Sequence, residues 1–477
     1  MQIPVPNLLS IMRPNPVESD YKITTIEGNL PRDLNGVLYR NAPNQRVLPD
    51  GGPGALHLFD GDGYISAITF LDGVAHVRSR YAATPSFLFE KNENAFCLGT
   101  LGAEADVTVK NVPPNYQANT NVVFHAGRLW AMQETMPPFF MDPRTLESKG
   151  MWDYNGQMLG SASSAHPKID PLTGQMIQCG YQPQAPNFQL YVIEGDGEVS
   201  LAENVPVPWA SKFHEVAITE NFVVIPVGAV DIDSGQLNER DPLAGLKALR
   251  ARPDLNLQFG IKARIAGSTV RWFETPSSHY IFHTGNAFEK NGKIYMDACT
   301  FVDMEGMIEN LKCLRSGYAD IRSGSFLYRY EFDLDKGTCI ATQLSDLLAE
   351  LPRIDDRRLG YESNFGYASV GKPGAGTFRG LIKYTMQGEI LAEQSYVDDQ
   401  FISEPVFVPR SQDAAEDDGY ILALRYDAQA DRSGLDILDA REIDGEPVAR
   451  LWFDERTPFS VHGSWVDAPQ LENLGGC

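Results

Sequence analysis

Four of the eight histidines in this 477-residue chain stand in similar settings. They are His166 in "SAHPKID", His214 in "FHEVAIT", His283 in "FHTGNAFE" and His462 in "VHGSWV". Each follows a small or apolar residue and reads as part of a strand end rather than a solvated loop. Imidazole binds first-row metals such as Fe, Zn, Cu and Ni, so four of them would form a nitrogen-only metal site if the fold brought them to one point. The gaps between them are dozens of residues long, unlike a local zinc finger. A lone histidine in an apolar setting is more often simply packed, so the surroundings must decide. A ligating imidazole usually donates its other N–H to a carboxylate, which fixes tautomer and orientation. Three isolated glutamates offer themselves: Glu134 in "LWAMQE", Glu350 in "LLAELPRID" and Glu404 in "FISEPVFVPR". By composition alone these read as ordinary surface charge. His57, His76, His125 and His279 read as structural. His279 lies four residues before His283, the spacing of a helical zinc pair, but "SSHYIFHTGNAF" reads as a strand.

The elements that must position these residues are short strands separated by turns. "YISAITFLDGVAHVRSRY" is strand, Asp-Gly turn, strand. "VVFHAGRLWAM", "LYVIEGDGEVSLAE", "AFEKNGKIYMDACTF" and "FLYRYEFDLDKGTCIATQL" repeat the scheme. Helix signals are few: "DPLAGLKALRARPD", with Leu243, Leu246 and Leu249 at helical spacing, "MIENLKCLRSG" and "LSDLLAELPR". So many hairpins cannot form one open sheet, which leaves stacked sandwiches or a propeller. No linker or low-complexity segment interrupts them, which favours one closed propeller domain over residues 1–477. A propeller would also bring distant histidines to a common axis. No strict repeat of the WD40 kind is visible.

Composition limits the function classes. The chain carries 40 basic and 63 acidic residues, a net charge of −23, which argues against a nucleic-acid partner. Hydrophobic content of 43% and charged content of 22% are ordinary for a globular chain. The six cysteines include no C-x-x-C pair, and the N-terminal stretch does not read as a secretory signal. No apolar run is long enough for a transmembrane helix. The expectation is a cytoplasmic protein with reduced thiols. "GGPGALHLFDGDG" is glycine-rich but lacks the Lys-Ser/Thr of a phosphate cradle.

In chain order, "GNLPRDLNGVLYRNAPN", "HLFDGDGYISAITF", "ANTNVVFHAGRLWAMQE", "SAHPKIDPLTGQM", "FHEVAITENFVVIPV", "FHTGNAFEKNGKIYMD", "ELPRIDDRRLGY", "SEPVFVPR" and "PFSVHGSWV" together resemble a carotenoid cleavage oxygenase, the family that also holds lignostilbene dioxygenases. The resemblance implies an all-β fold, a seven-bladed β-propeller with a helical and loop dome over one face. It implies Fe(II) on the axis, held by His166, His214, His283 and His462, with Glu134, Glu350 and Glu404 each orienting a ligand. The threonine beside the family's open iron position falls on Thr120. The implied reaction is cleavage of a conjugated C=C bond by O2 to two carbonyl products. The lignostilbene branch binds its phenol with a Lys and a Tyr, and those positions hold Gln133 and Leu101 here. An apocarotenoid-like apolar alkene is therefore the first expectation, and a stilbenoid or phenylpropenoid is the alternative. Pocket candidates are Phe59, Leu101, Gln133, Phe282 and Phe288. Simple core packing is an equal reading for each aromatic. A peripheral membrane contact for substrate uptake is left open, as is oligomeric state. A zinc-dependent hydrolase and a non-catalytic binding propeller are the remoter alternatives.

Overall fold

Alternating runs such as "FLYRYEFDL" become strands: in Ser325–Asp333, Tyr330 and Phe332 are buried on one face and Leu327 on the other. The hairpin expected at "YISAITFLDGVAHVRSRY" forms between Asp62–Leu71 and Val74–Tyr81. Its two turn residues, Asp72 and Gly73, both have positive φ (49° and 77°), the tight turn that suits the twist of paired strands. This is a computed structural model, and it describes residues 2–472 except 16, 47–56, 99–100, 102–105, 107, 135, 161–162, 183–184, 237–243, 321 and 372–376.

Strands within 121–151, within 168–206 and within 217–274 make three four-stranded antiparallel sheets. A five-stranded sheet runs in the order Asp20–Lys22, Val74–Tyr81, Asp62–Leu71, Gly36–Asn44, His462–Asp467. Its last pairing joins the two ends of the chain, with His462 opposite Asn41 and Trp465 opposite Leu38. A 13-stranded sheet has eleven strands on one path from Tyr280–Lys290 to Thr25–Gly28 and two beside it, and two-stranded sheets pair Gln2–Pro4 with Tyr318–Asp320 and Val230–Ile232 with Leu249–Ala251. The fold is thus all-β with few helices. The core lies between sheet faces: Ile177, Val192 and Val223 meet in one cluster, and Leu38, Ile68, Leu422 and Ile437 in another. Removing such apolar surface from water is the main stabilising term, at about 25 cal/mol per Å².

Two expected helices are corrected. "LSDLLAELPR" belongs to a 16-residue strand, Thr338–Arg353, which pairs with Ser325–Asp333 on one side and Phe365–Gly371 on the other. Ladder bonds on both sides override the helical spacing of its leucines. In "DPLAGLKALRARPD" only Ala244–Lys247 is helical. Leu249 opens a strand, Leu249–Ala251, that pairs with Val230–Ile232, and Leu243 lies outside the described residues. "MIENLKCLRSG" is a helix, Met304–Cys313, capped by the Asp303 carboxylate accepting from Gly306 N–H. The five described cysteines are unpaired, and Cys477 lies outside the described residues. Among the described residues no helix is long and apolar enough to cross a membrane.

Candidate metal centre

Each of the four histidines stands on or just before an edge strand of its sheet. His166 precedes Lys168–Ile169, His214 precedes Ala217–Ile218, His283 lies within Tyr280–Lys290, and His462 opens His462–Asp467. These edges meet. The His166 ring lies 4.4 Å from His214, 5.2 Å from His283 and 4.5 Å from His462, centroid to centroid. His283 lies 4.9 Å from both His214 and His462. Ligand nitrogens of His166, His283 and His462 all fall within 4.8 Å of one another, and Nε2 of His214 is 3.2 Å from Nε2 of His283.

Local bonds hold the edges in place. The Ser164 hydroxyl accepts from His166 N–H and donates to the carbonyl of His214, tying two ligand segments together. Around His283 the ladder shifts register on both sides of Thr284. Such irregularity re-aims side chains. His283 turns to the other three histidines, whereas His279 packs on Tyr328.

Three carboxylates reach the outer nitrogens. Nδ1 of His214 is 3.2 Å from Glu134 Oε2, Nδ1 of His283 is 2.6 Å from Glu350 Oε2, and Nδ1 of His462 is 3.1 Å from Glu404 Oε1. The acids come from neighbouring sheets: Glu134 follows Arg128–Met132, Glu350 lies in Thr338–Arg353 and Glu404 precedes Val406–Pro409. An Nδ1–H held by a carboxylate leaves the Nε2 lone pair facing inward. Two facing Nε2 lone pairs at 3.2 Å have no proton to share, and His166 Nε2 is buried with no hydrogen-bond partner. Those unsatisfied acceptors are what a cation would satisfy, so the donor set fits a metal ion.

Electrostatics keep most of the set neutral. Burial, helped by the other three rings, holds His166 well below the usual imidazole range. Burial lowers His214 and brings His462 down to about 4, against the pull of Glu134 and Glu404. At His283 burial works the same way, but Glu350, together with Glu215 and Glu404, overcomes it and the group is raised. Glu134 is depressed to about 2: burial opposes ionisation, and Lys212 and His214 overcome it. Glu404 is lowered too, by Arg353, His462 and Arg40 against burial.

The spacing of types in the sequence did not disclose the cations. Lys212 Nζ is 2.6 Å from both oxygens of Glu134. Arg40 and Arg353 lie 3.5 and 3.2 Å from Glu404 Oε2. A fourth buried acid, Glu215, is bonded by Lys168 and by the Thr284 hydroxyl. The available signal was a charge set into an apolar run beside a ligand or its partner, as in "SKFHE", "HPK" and "ELPR".

The remaining candidates are dispersed. Phe282 touches the cluster, its ring 4.9 Å from His214, and Leu101 packs on the same apolar group. Phe59 is half exposed against His57. Phe288 is buried and stacked on Tyr295, which is core packing. Gln133 accepts from Gln117 N–H at 2.8 Å, and the Thr120 hydroxyl donates to Asn119 at 3.3 Å. His57 bonds the Leu311 carbonyl and His125 the Gly174 carbonyl. A cavity of about 550 Å³ reaches His166, His283 and His462, with Lys168, Glu215 and Arg353 in its wall. None of the five pocket candidates lines it, nor does Thr120.

Residues 12–467 match the model of the family described as retinal pigment epithelial membrane protein. The chain is 31% identical to an isoeugenol monooxygenase of Pseudomonas nitroreducens, over 97% of this chain and 98% of that one. It is similar to the crystal structure of a Pseudomonas brassicacearum lignostilbene dioxygenase, with a TM-score of 0.84 and 29% identity over 96% of this chain and 98% of that one. It is also similar to Synechocystis apocarotenoid oxygenase in a cobalt-substituted crystal structure, with a TM-score of 0.83 and 26% identity over 97% of this chain and 98% of that one.

Proposed function

The chain belongs to the retinal pigment epithelial membrane protein family, and from that premise we propose that it is a non-heme Fe(II)-dependent dioxygenase cleaving a C=C double bond of a conjugated apolar substrate with O2 to give two carbonyl products. The observation that carries the reading is the buried meeting of four imidazoles, three of them backed by a carboxylate. His166, His214, His283 and His462 would hold the iron. The donor chemistry alone admits Zn, Cu or Ni as well, and a cobalt-substituted relative supports a metal at this kind of site. Bound iron supplies the redox chemistry with O2. The protein supplies the rest. Glu134, Glu350 and Glu404 hold the Nδ1 protons and so aim the Nε2 atoms inward. Thr120 is assigned to the border of the open side of the site. Phe282 and Leu101 shield the His214 side from water, and we put the alkene there because the cavity on the other side has charged walls.

The same reading includes a seven-bladed propeller formed by one domain over residues 1–477, with the metal on its axis. The supporting observation is that the 13-stranded sheet, divided within the long strand Thr338–Arg353 and before Val406–Pro409, yields three units of about four strands beside the four separate sheets of four or five strands.

A second substrate reading is cleavage of a phenylpropenoid or stilbenoid to aromatic aldehydes such as vanillin. It is favoured by relatives named for isoeugenol and lignostilbene. The absence of Lys and Tyr at Gln133 and Leu101 favours an apocarotenoid-like substrate instead. The test is aerobic incubation of Fe(II)-loaded protein with apocarotenoids, stilbenoids and vinylphenols, with mass detection of aldehydes. Aldehydes that form only in the presence of O2 support the function. Turnover undiminished in anaerobic buffer with stoichiometric zinc would mean a hydrolase. The substrate readings separate on kcat/KM for a hydroxystilbene, its methyl ether and an apocarotenal. A site built to bond a phenol rejects the ether by a large factor, and one without such groups does not.

A further inference from the structure

The three outer carboxylates are alike in what they do to their histidines and unlike in what holds them. Glu134 carries the Lys212 ammonium on both oxygens at 2.6 Å and accepts from Tyr181 at 3.2 Å. Glu404 lies between Arg40 and Arg353, with Arg353 shared onto Asp356. Glu350 bonds His283 and the Leu351 N–H, its second oxygen is buried without a partner, and among the described residues no Lys or Arg pairs with it. Glu215, also buried nearby, is paired by Lys168 and by the Thr284 hydroxyl, and among the described residues its carboxylate hydrogen-bonds no imidazole. Negative charge beside a ligand strengthens its hold on a divalent cation, and a cation on that carboxylate cancels the effect at close range.

We propose that Lys212 is a positioning residue that neutralises the Glu134–His214 arm, so that the uncompensated negative charge around the centre sits on the Glu350–His283 arm alone. Its side chain is 15% exposed, lies 5.8 Å from the Phe282 ring and reaches Glu134 from the segment just before His214, so the cation acts on the centre through Glu134 and touches no ligand nitrogen. The inference rests on reading the four histidines as metal ligands and adds a sign to it. If Lys212 only braced Glu134, losing it would loosen the arm and weaken metal binding. If it neutralises the arm, losing the charge strengthens binding.

The test is Co(II) titration of the metal-free full-length protein, read by the visible cobalt band and by competition with a chromogenic chelator. Wild type, Lys212→Met, Lys212→Arg, Glu134→Gln and His283→Ala are compared, each checked for unchanged circular dichroism. The expected result is tighter Co(II) binding in Lys212→Met by about tenfold, the scale on which outer partners act. Lys212→Arg should match wild type, and Glu134→Gln should bind more weakly. Equal or weaker binding in Lys212→Met overturns the proposal, as does a Lys212→Met variant that fails to fold while Lys212→Arg folds, because that makes the residue a structural brace. Wild type that binds no Co(II), or a His283→Ala variant that binds as wild type does, rejects the metal site itself and the proposal with it.

Discussion

At the scale of single residues, the four histidines were singled out by the family motifs around them, since the other four also follow a small or apolar residue. What the sequence left open was their mutual geometry: nothing local says that His166 and His462 come within 4.5 Å. The glutamates were legible only through the family resemblance, since by composition alone an isolated Glu in an apolar or turn context reads as a surface acid. Their cations were not legible at all. Arg40 reaches Glu404 across most of the chain, and no spacing rule encodes that contact. A prediction at this scale follows from the Nδ1 bonds. Glu→Gln at Glu134, Glu350 or Glu404 should lower activity or metal affinity about 10–100-fold while leaving a folded protein. Steady-state kinetics on the loaded variants checks this, and wild-type turnover in all three would make them ordinary carboxylates. His→Ala at His57, His125 or His279 should leave metal content intact, because the first two bond backbone carbonyls and the third packs on Tyr328.

At the scale of elements, hairpins were read correctly where turn chemistry was local, as at Asp72–Gly73, and wrongly where the partner was remote. The strand Thr338–Arg353 has leucines at helical spacing, and only the sheets on either side of it decide its conformation. The closing strand His462–Asp467 tolerates no bulk at its second residue. A Cβ on Gly463 would lie 2.2 Å from the Tyr39 carbonyl and 2.5 Å from the Arg40 side chain. Gly463→Ala should therefore destabilise the protein by about 1–3 kcal/mol, as overpacking does, and disturb His462 beside it. Thermal denaturation with metal analysis of the same sample tests both effects. Arg40 is fully buried, donating to Ser460, to the Val461 carbonyl and to Glu404. Arg40→Leu leaves the buried Glu404 with Arg353 alone and takes the donor from the Ser460 and Val461 carbonyls, so it should cost about 1–3 kcal/mol in chemical denaturation, more than an exposed ion pair would.

At the scale of the whole molecule, strands from opposite ends of the chain complete one sheet, and that sheet brings His462 to the other histidines.

 
The pairing of His462–Asp467 with Gly36–Asn44 is the contact that sequence reading could not see, because its partners lie at opposite ends of the chain. A chain ending before His462 should lose a ligand and also leave Gly36–Asn44 with an unpaired edge, a site for association with other chains. Size-exclusion chromatography should show aggregation or a broadened, less cooperative melt, and a monodisperse, cooperatively melting truncation would contradict the closure. The meeting of four histidines from distant parts of the chain is the feature on which the proposed function turns. The most direct measurement is therefore elemental analysis of the purified protein after Fe(II) loading and desalting, for wild type and for His→Ala at positions 166, 214, 283 and 462. The predicted result is iron near one per chain in wild type and its loss in each of the four variants. Full iron occupancy in His283→Ala, or no retained iron in wild type, would contradict it.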